Sequence, residues 1–205
     1  MRLVPVTALA AALLLTACGS TTGPGAAPTA STPSPVLAVP PADGPVTGVG
    51  TVLQPPDGPA AFCLGPVAES FPPQCEGIPL SGWDWESNPP DAQTDTGAPV
   101  TRWGTYAVTG DFDGLTLTMT DAVPLALYDT VAEPTPTLVA TPPLDHGQWE
   151  AVVQGVQAAP GLLTIDRPED TGPVHVTVVH DDGSVQAWAD AAFGQDAVVV
   201  TSALR

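Results

Sequence analysis

The sequence predicts an α+β fold: a small antiparallel β-sheet or OB-like barrel, followed by a ferredoxin-like α+β lobe. Three observations predict it. Between Tyr106 and Thr120, apolar and polar residues alternate with period two, as on strands with one buried face. After Asp145 the apolar spacing changes to three and four, the period of a helix with one buried stripe. Beyond Pro160 come two Val-rich runs, a second helical stripe and a last apolar run, in the order helix-strand-strand-helix-strand. A short strand at Thr137 to Ala140 ahead of these completes the order of a ferredoxin-like lobe.

The β-rich lobe is expected over residues 45–121. Val46 to Gln54 is rich in Val and Thr and reads as a strand, with Gly48 and Gly50 allowing a bend or close packing. Gly48-Val49-Gly50 is no dinucleotide fingerprint, since the third glycine and the following helix are missing. From Pro55 to Pro99 the proline density excludes a helix, and a loop of that length needs its own anchors. Tyr106, Val108 and Phe112 then fall at even spacing. Asp113-Gly114 makes a hairpin turn, and Leu115 to Thr120 returns as the next strand.

Residues 122–144 read as a proline-rich connector and 145–205 as the α+β lobe. Its first helix starts near Asp145, carries Trp149, Val152, Val153 and Val156 on one side, and ends before Pro160-Gly161. Leu162 to Asp166 and Val174 to His180 are strands. Ser184 is the expected cap of a second helix bearing Val185, Trp188, Ala192 and Phe193, stopped by Gly194. Val198 to Thr201 is the final buried strand.

The residues ahead of the body give an address. A single Arg2 precedes an apolar run from Leu3 to Leu15, too short to span a bilayer but suited to a secretory signal over 1–17. The Leu15-Thr16-Ala17-Cys18 that ends it resembles the lipobox of bacterial lipoproteins. That resemblance implies a diacylglyceryl group, and the fatty acyl chains typified by palmitate, on a mature N-terminal Cys18. An ordinary cleaved signal with an incidental cysteine is the alternative. Residues 18–44 are mostly Gly, Ser, Thr, Pro and Ala without period, with Asp43 the only charge, a tether reaching about 30 Å as a flexible coil. The protein is thus expected on the outer face of the cell membrane, held by lipid on Cys18. Of three cysteines, Cys63 and Cys75 then remain as a disulfide pair in an oxidising compartment.

Charge narrows the partners. Four arginines and no lysine face 22 acids, a formal net charge of −18. Such a chain is repelled by nucleic-acid phosphates and carries no polybasic patch for anionic lipids. Envelope proteins or cell-wall glycan remain as expected partners. The acids are scattered, as on a solvated surface.

No catalytic pattern emerges. There is no Gly-x-Ser-x-Gly elbow, no His-Glu-x-x-His and no P-loop, and no cofactor or metal is expected. His175 and His180 lie five apart on an expected strand and so face opposite sides. Asp111-x-Asp113-Gly114 starts like a calcium loop, but Leu115 and Ala122 stand where later ligands belong. The strongest constellation is Trp83-Asp84-Trp85, with Arg102 beside it, as a candidate ligand-binding site. On an extended segment both indoles share a face. They are either exposed for stacking on a sugar or plugs that pack the disulfide loop onto the sheet.

Phe62-Cys63-Leu64-Gly65 through Gly82-Trp83-Asp84-Trp85, Trp103-Gly104-Thr105-Tyr106 and the run from Val198 to Arg205 resemble segments of secreted and lipid-anchored proteins of high-GC actinomycetes. That group implies no activity. The reading is therefore a non-enzymatic binding or interaction module of the envelope. The competing reading is a secreted hydrolase acting on cell-wall material through carboxylates such as Asp84 and Glu86.

Overall fold

The structure, a computed structural model, describes residues 38–94, 100–129, 144–166 and 172–205. The expected signal segment, Cys18 and the strand expected at 137–140 lie outside these residues. Within them the α+β class is borne out, with a six-stranded sheet, a three-stranded sheet and two α-helices.

The first sheet contains β1 (Val46–Gln54), β2 (Ala61–Cys63), β3 (Ile78–Ser81), β4 (Ala92–Gln93), β5 (Arg102–Phe112) and β6 (Leu117–Pro124). β1 runs antiparallel to β2 and, along its whole length, to β5, from Val46↔Gly110 to Gln54↔Arg102. β2 pairs with β3, β3 with β6, and β6 with β5. Following these pairings returns to β1. The five strands thus form a closed ring, an OB-like barrel, and β4 lies beside the start of β5. Closure satisfies backbone groups that an open edge would leave unpaired. The sheet is not purely antiparallel, because β3 and β6 run parallel.

Even-numbered residues of β1 and β5 point inward. Val46, Val52, Tyr106, Val108 and Phe112 are buried there with Phe62, Leu80 and Leu117. Gly50 and Gly110 let strands approach, since a Cβ on either would run into the carbonyl oxygen of Cys63 or Thr118. The hairpin between β5 and β6 is as read: Asp113 Oδ1 accepts the N–H groups of Leu115 (2.8 Å) and Thr116 (2.7 Å), and Gly114 sits at φ +96°. That turn takes up Leu115 and Thr116, so β6 starts later than expected and runs on through Pro124, inside the supposed connector.

The second sheet belongs to α1 (His146–Gly155), β7 (Leu162–Asp166), β8 (Val174–Val178), α2 (Ser184–Phe193) and β9 (Val198–Ser202). A capping box between Asp145 and Gln148 starts α1, which buries Val152 and Val153 against the valines of β8. β7 and β8 are antiparallel, while β8 and β9 are adjacent and parallel, from Val174↔Val198 to Val178↔Ser202. That direct pairing leaves no slot for a further strand between them. The lobe therefore holds a plain β-α-β unit rather than the split arrangement of a ferredoxin-like fold.

Two details of α2 differ from expectation. Ser184 is its first residue, not its cap; Asp181 and Asp182 accept the N–H groups of Gly183, Ser184 and Val185. Ala189, not Ala192, completes the buried face. Gln186 supplies what the outer edge of β9 lacks: its side-chain amide donates to Val198 O (3.0 Å) and accepts from Val200 N (2.8 Å).

The lobe is fastened to the barrel at the mouth where β1 begins. Expected strand residues Val179 and His180 leave β8 and turn into the barrel core, with Leu204 beside them. Thr47 and Arg205 exchange backbone hydrogen bonds (2.7 and 3.1 Å). The expected tether also ends earlier than residue 44. Val39 packs on the barrel core, Pro40 O meets His180 Nδ1 (3.0 Å), and Ala42 N donates to Phe112 O (3.0 Å). Apolar Val39 and the rigid Pro40-Pro41 supply burial that a Gly/Ser stretch would lack.

Candidate functional site

The opposite mouth, where β1 ends and β5 begins, holds the candidate site. Trp83 stands edge-on to Tyr106 (ring centroids 4.8 Å) and to Trp85 (5.1 Å), and both indoles pack on the barrel core. Trp85 Nε1 donates to Gln54 Oε1 (2.6 Å), and Gln54 Nε2 donates to Gly58 O (3.2 Å), which pins the β1–β2 turn. Tyr106, with 1% of its surface exposed, donates its hydroxyl to the carbonyl of Pro89. Burial, reinforced by the charge of Asp91, holds its pKa above the ordinary tyrosine value. The tryptophans are the plug of this mouth. Trp83 Nε1 is buried without a hydrogen-bond partner among the described residues.

Asp84 is exposed and committed to its own turn. Its carboxylate accepts from the N–H groups of Glu86 (3.0 Å) and Ser87 (3.2 Å) and from Ser87 Oγ (2.8 Å). Those bonds hold its pKa below the ordinary aspartate value, led by the Glu86 N–H. Arg102 is the cross-strand partner of Gln54, which places it at this mouth, exposed and without an ion pair among the described residues. Trp103, next in β5, points to the other side of the strand and does not join the indole pair.

What Trp103 meets instead is Phe71, edge-on at 5.6 Å, from the loop that the cysteines close. Cys63 and Cys75 are disulfide-bonded, with Cα atoms 6.0 Å apart. Cys63 lies opposite Thr51 on the outer face of β1. The loop therefore crosses β1 to set Phe71 on Trp103. A bridge between Ala68 and Gln74, and Ser70 Oγ donating to Pro72 O (2.8 Å), stiffen its tip. In one of their two readings the tryptophans pack this loop onto the sheet beside the disulfide; in the structure Phe71 on Trp103 does so, while the indoles pack on the barrel core. The sequence did carry a signal for this, since an aromatic residue between two paired cysteines is well placed as an anchor.

No protein-family model, curated protein or solved structure matches the chain.

The remaining chemistry is sparse. His146 is exposed beside Glu150 (3.3 Å), His175 sits mid-strand on β8, and His180 is buried against Phe112. Among the described residues no three His, Cys, Asp or Glu side chains come together as a metal site. A shallow cleft of about 620 Å³ lies at the far mouth, lined by Ala38, Val39, Pro41, Leu115, Pro160 and Asp113. Among the described residues its only carboxylate is that of Asp113, already engaged in the hairpin turn.

Three turn aspartates set the acid response. Asp84, Asp113 and Asp182 are each held below the ordinary value of 3.8, first by Glu86, Thr116 and Ser184 respectively. A lowered folded pKa means that the unfolded chain takes up the proton first. The stability these turns contribute is therefore complete above 3.8 and is lost as pH falls through the folded values. Thermal unfolding should show a midpoint that drops between about pH 5 and about pH 2, with a shallower drop for Asp113→Asn. A midpoint that rises on acidification would contradict the turn assignment.

Proposed function

We propose that the protein is a lipid-anchored, non-enzymatic binding module displayed on the outer face of the cell membrane. Its partners are envelope proteins or cell-wall glycan, and not nucleic acid. The address rests on the lipobox ending in Cys18 and the Pro/Thr/Ser-rich segment after it. One observation carries the choice of a binding module over a hydrolase. The most promising acid beside the tryptophans, Asp84, accepts three hydrogen bonds in a turn and is held ionised. A glycosidase acid needs the reverse, a carboxyl whose pKa is raised so that it carries a proton to the leaving group. Trp83 and Trp85 likewise serve the barrel mouth as a plug. Among the described residues no helix is long and apolar enough to cross a membrane.

The test is replacement of the cysteine. Cys18→Ala should leave the precursor unprocessed or release the protein into the medium, and should abolish incorporation of labelled fatty acid. Unchanged partitioning into the detergent phase by the Cys18→Ala chain would defeat the anchor.

A further inference from the structure

Phe71 is a large aromatic left 73% exposed, although a barrel core is close at hand. The molecule spends a disulfide, a bridge within the loop and a serine hydrogen bond on keeping it there. Its ring stands edge-on to Trp103, so the two present an angled aromatic ledge on the outside of the barrel. The indole nitrogen of Trp103 has no hydrogen-bond partner among the described residues and is not buried, which leaves a donor at the rim. Behind the ledge, the outward side chains of β1 and β5 nearest to it are Thr51, Leu53 and Thr105, followed by Val49, Thr47 and Thr109 and a buried Ala107; the acid Asp111 comes only at the far end of β5. Up to Asp111 none is charged, in a chain of net charge −18. The charges nearest the ledge are Glu69, two residues before Phe71, and Asp91, whose carboxylate accepts from Thr105 N (2.7 Å).

We infer that this ledge, Phe71 on Trp103, is a binding site for an uncharged polysaccharide chain. A pyranose ring has an apolar face of C–H groups and a rim of hydroxyls. The apolar face stacks on an exposed aromatic ring, while the hydroxyls accept hydrogen bonds from the indole N–H, exchange them with threonine hydroxyls and donate to a carboxylate such as Glu69. A polyanion would meet the chain's overall negative charge, and a polycation would find a neutral surface here with acids elsewhere. An uncharged chain of sugars suits a neutral, partly apolar, hydroxyl-bearing face. This assignment rests on reading the protein as an envelope binding module, and names its ligand class and site. The ledge lies apart from Trp83 and Trp85, which plug the mouth.

The experiment is calorimetric titration of the purified full chain with an uncharged β-linked N-acetylglucosamine tetrasaccharide, with tryptophan fluorescence recorded in parallel. Binding with a change in indole emission is expected, little affected by raising the salt. Phe71→Ala should weaken it at least tenfold, whereas Leu127→Ala, at another exposed apolar residue, should leave it unchanged. Phe71 is mostly in solvent, so its loss tests the site without unfolding the barrel. Absence of binding, binding equal in Phe71→Ala, or binding abolished by salt would overturn the assignment. So would self-association of the chain that Phe71→Ala abolishes, since the ledge would then be covered by a second copy. Lipid labelling of Cys18 is read separately, so loss of the anchor and loss of the sugar site are distinguishable.

Discussion

Leu204→Ala is expected to destabilise the barrel by about 2–5 kcal/mol, although Leu204 follows the last strand of the other lobe. Its side chain is fully buried and reaches through the mouth to lie over Gly48, where a Cβ would come within 2.7 Å of Leu204 Cδ2. Phe62 and Leu64 close around the same glycine. Removing three carbons there leaves a cavity that neighbours cannot fill, because Leu204 N is tied to Val179 O (2.9 Å) and Arg205 to Thr47. Against a total stability of about 5–15 kcal/mol, that is a large fraction. Urea unfolding followed by tryptophan fluorescence measures it. Trp83 and Trp85 report the barrel and Trp149 and Trp188 the lobe, and one shared transition at a lower midpoint is expected. An unchanged midpoint would mean that Leu204 is not seated in the barrel. Leu127→Ala, 77% exposed, should move the midpoint by less than about 0.5 kcal/mol.

Removing the disulfide should cost about 3 kcal/mol, from the loop-closure entropy that a cross-link of this span takes from the unfolded chain. For a body of this size that corresponds to a melting point lower by roughly 6–12 °C. The pair Cys63→Ala and Cys75→Ala measures it without leaving a buried thiol, since Cys63 is 2% exposed. A second effect follows from geometry. The loop holds Phe71 on Trp103, so near-ultraviolet circular dichroism should lose the signal of that pair even at temperatures where the barrel stays folded. No change in melting, or two titratable thiols in the native protein, would defeat the bond. A shift in melting with the aromatic signal intact would show that the loop tip holds itself.

Long elements were legible in the sequence because burial alone writes them. β1 matched its expected bounds, since Val46 to Gln54 is rich in Val and Thr and its two glycines sit under close neighbours and not at a break. α1 was readable because Asp145 and Gln148 carry the cap as well as the stripe. β2 and β3 were not. They are three and four residues long, and Pro79 stands inside β3. Strands that short have no period to detect; their pairing energy comes from partners distant in sequence. The same limit explains the lobe. The order of elements was right, but whether β8 and β9 touch or flank another strand is a matter of sheet packing.

The candidate site divides in the same way. Trp83 and Trp85 stood out as an aromatic pair around an acid, and both do sit at one mouth with Arg102. Their role as a plug was decided by Tyr106 and Gln54, residues that nothing local links to them. Phe71 went unnoticed because its partner, Trp103, lies across a strand pairing.

The sequence by itself determined the class, the main strands and helices and the strongly acidic net charge. These follow from composition and from the period of apolar residues, which are properties of a few neighbouring positions. Only the tertiary structure decided that the β1–β5 pairing closes the barrel, that Leu204 and Val179 stopper one mouth and Trp83 the other, and that Phe71 stands outside. Those outcomes depend on which distant surfaces meet, and the free energy of such contacts is shared between segments that carry no local mark of each other.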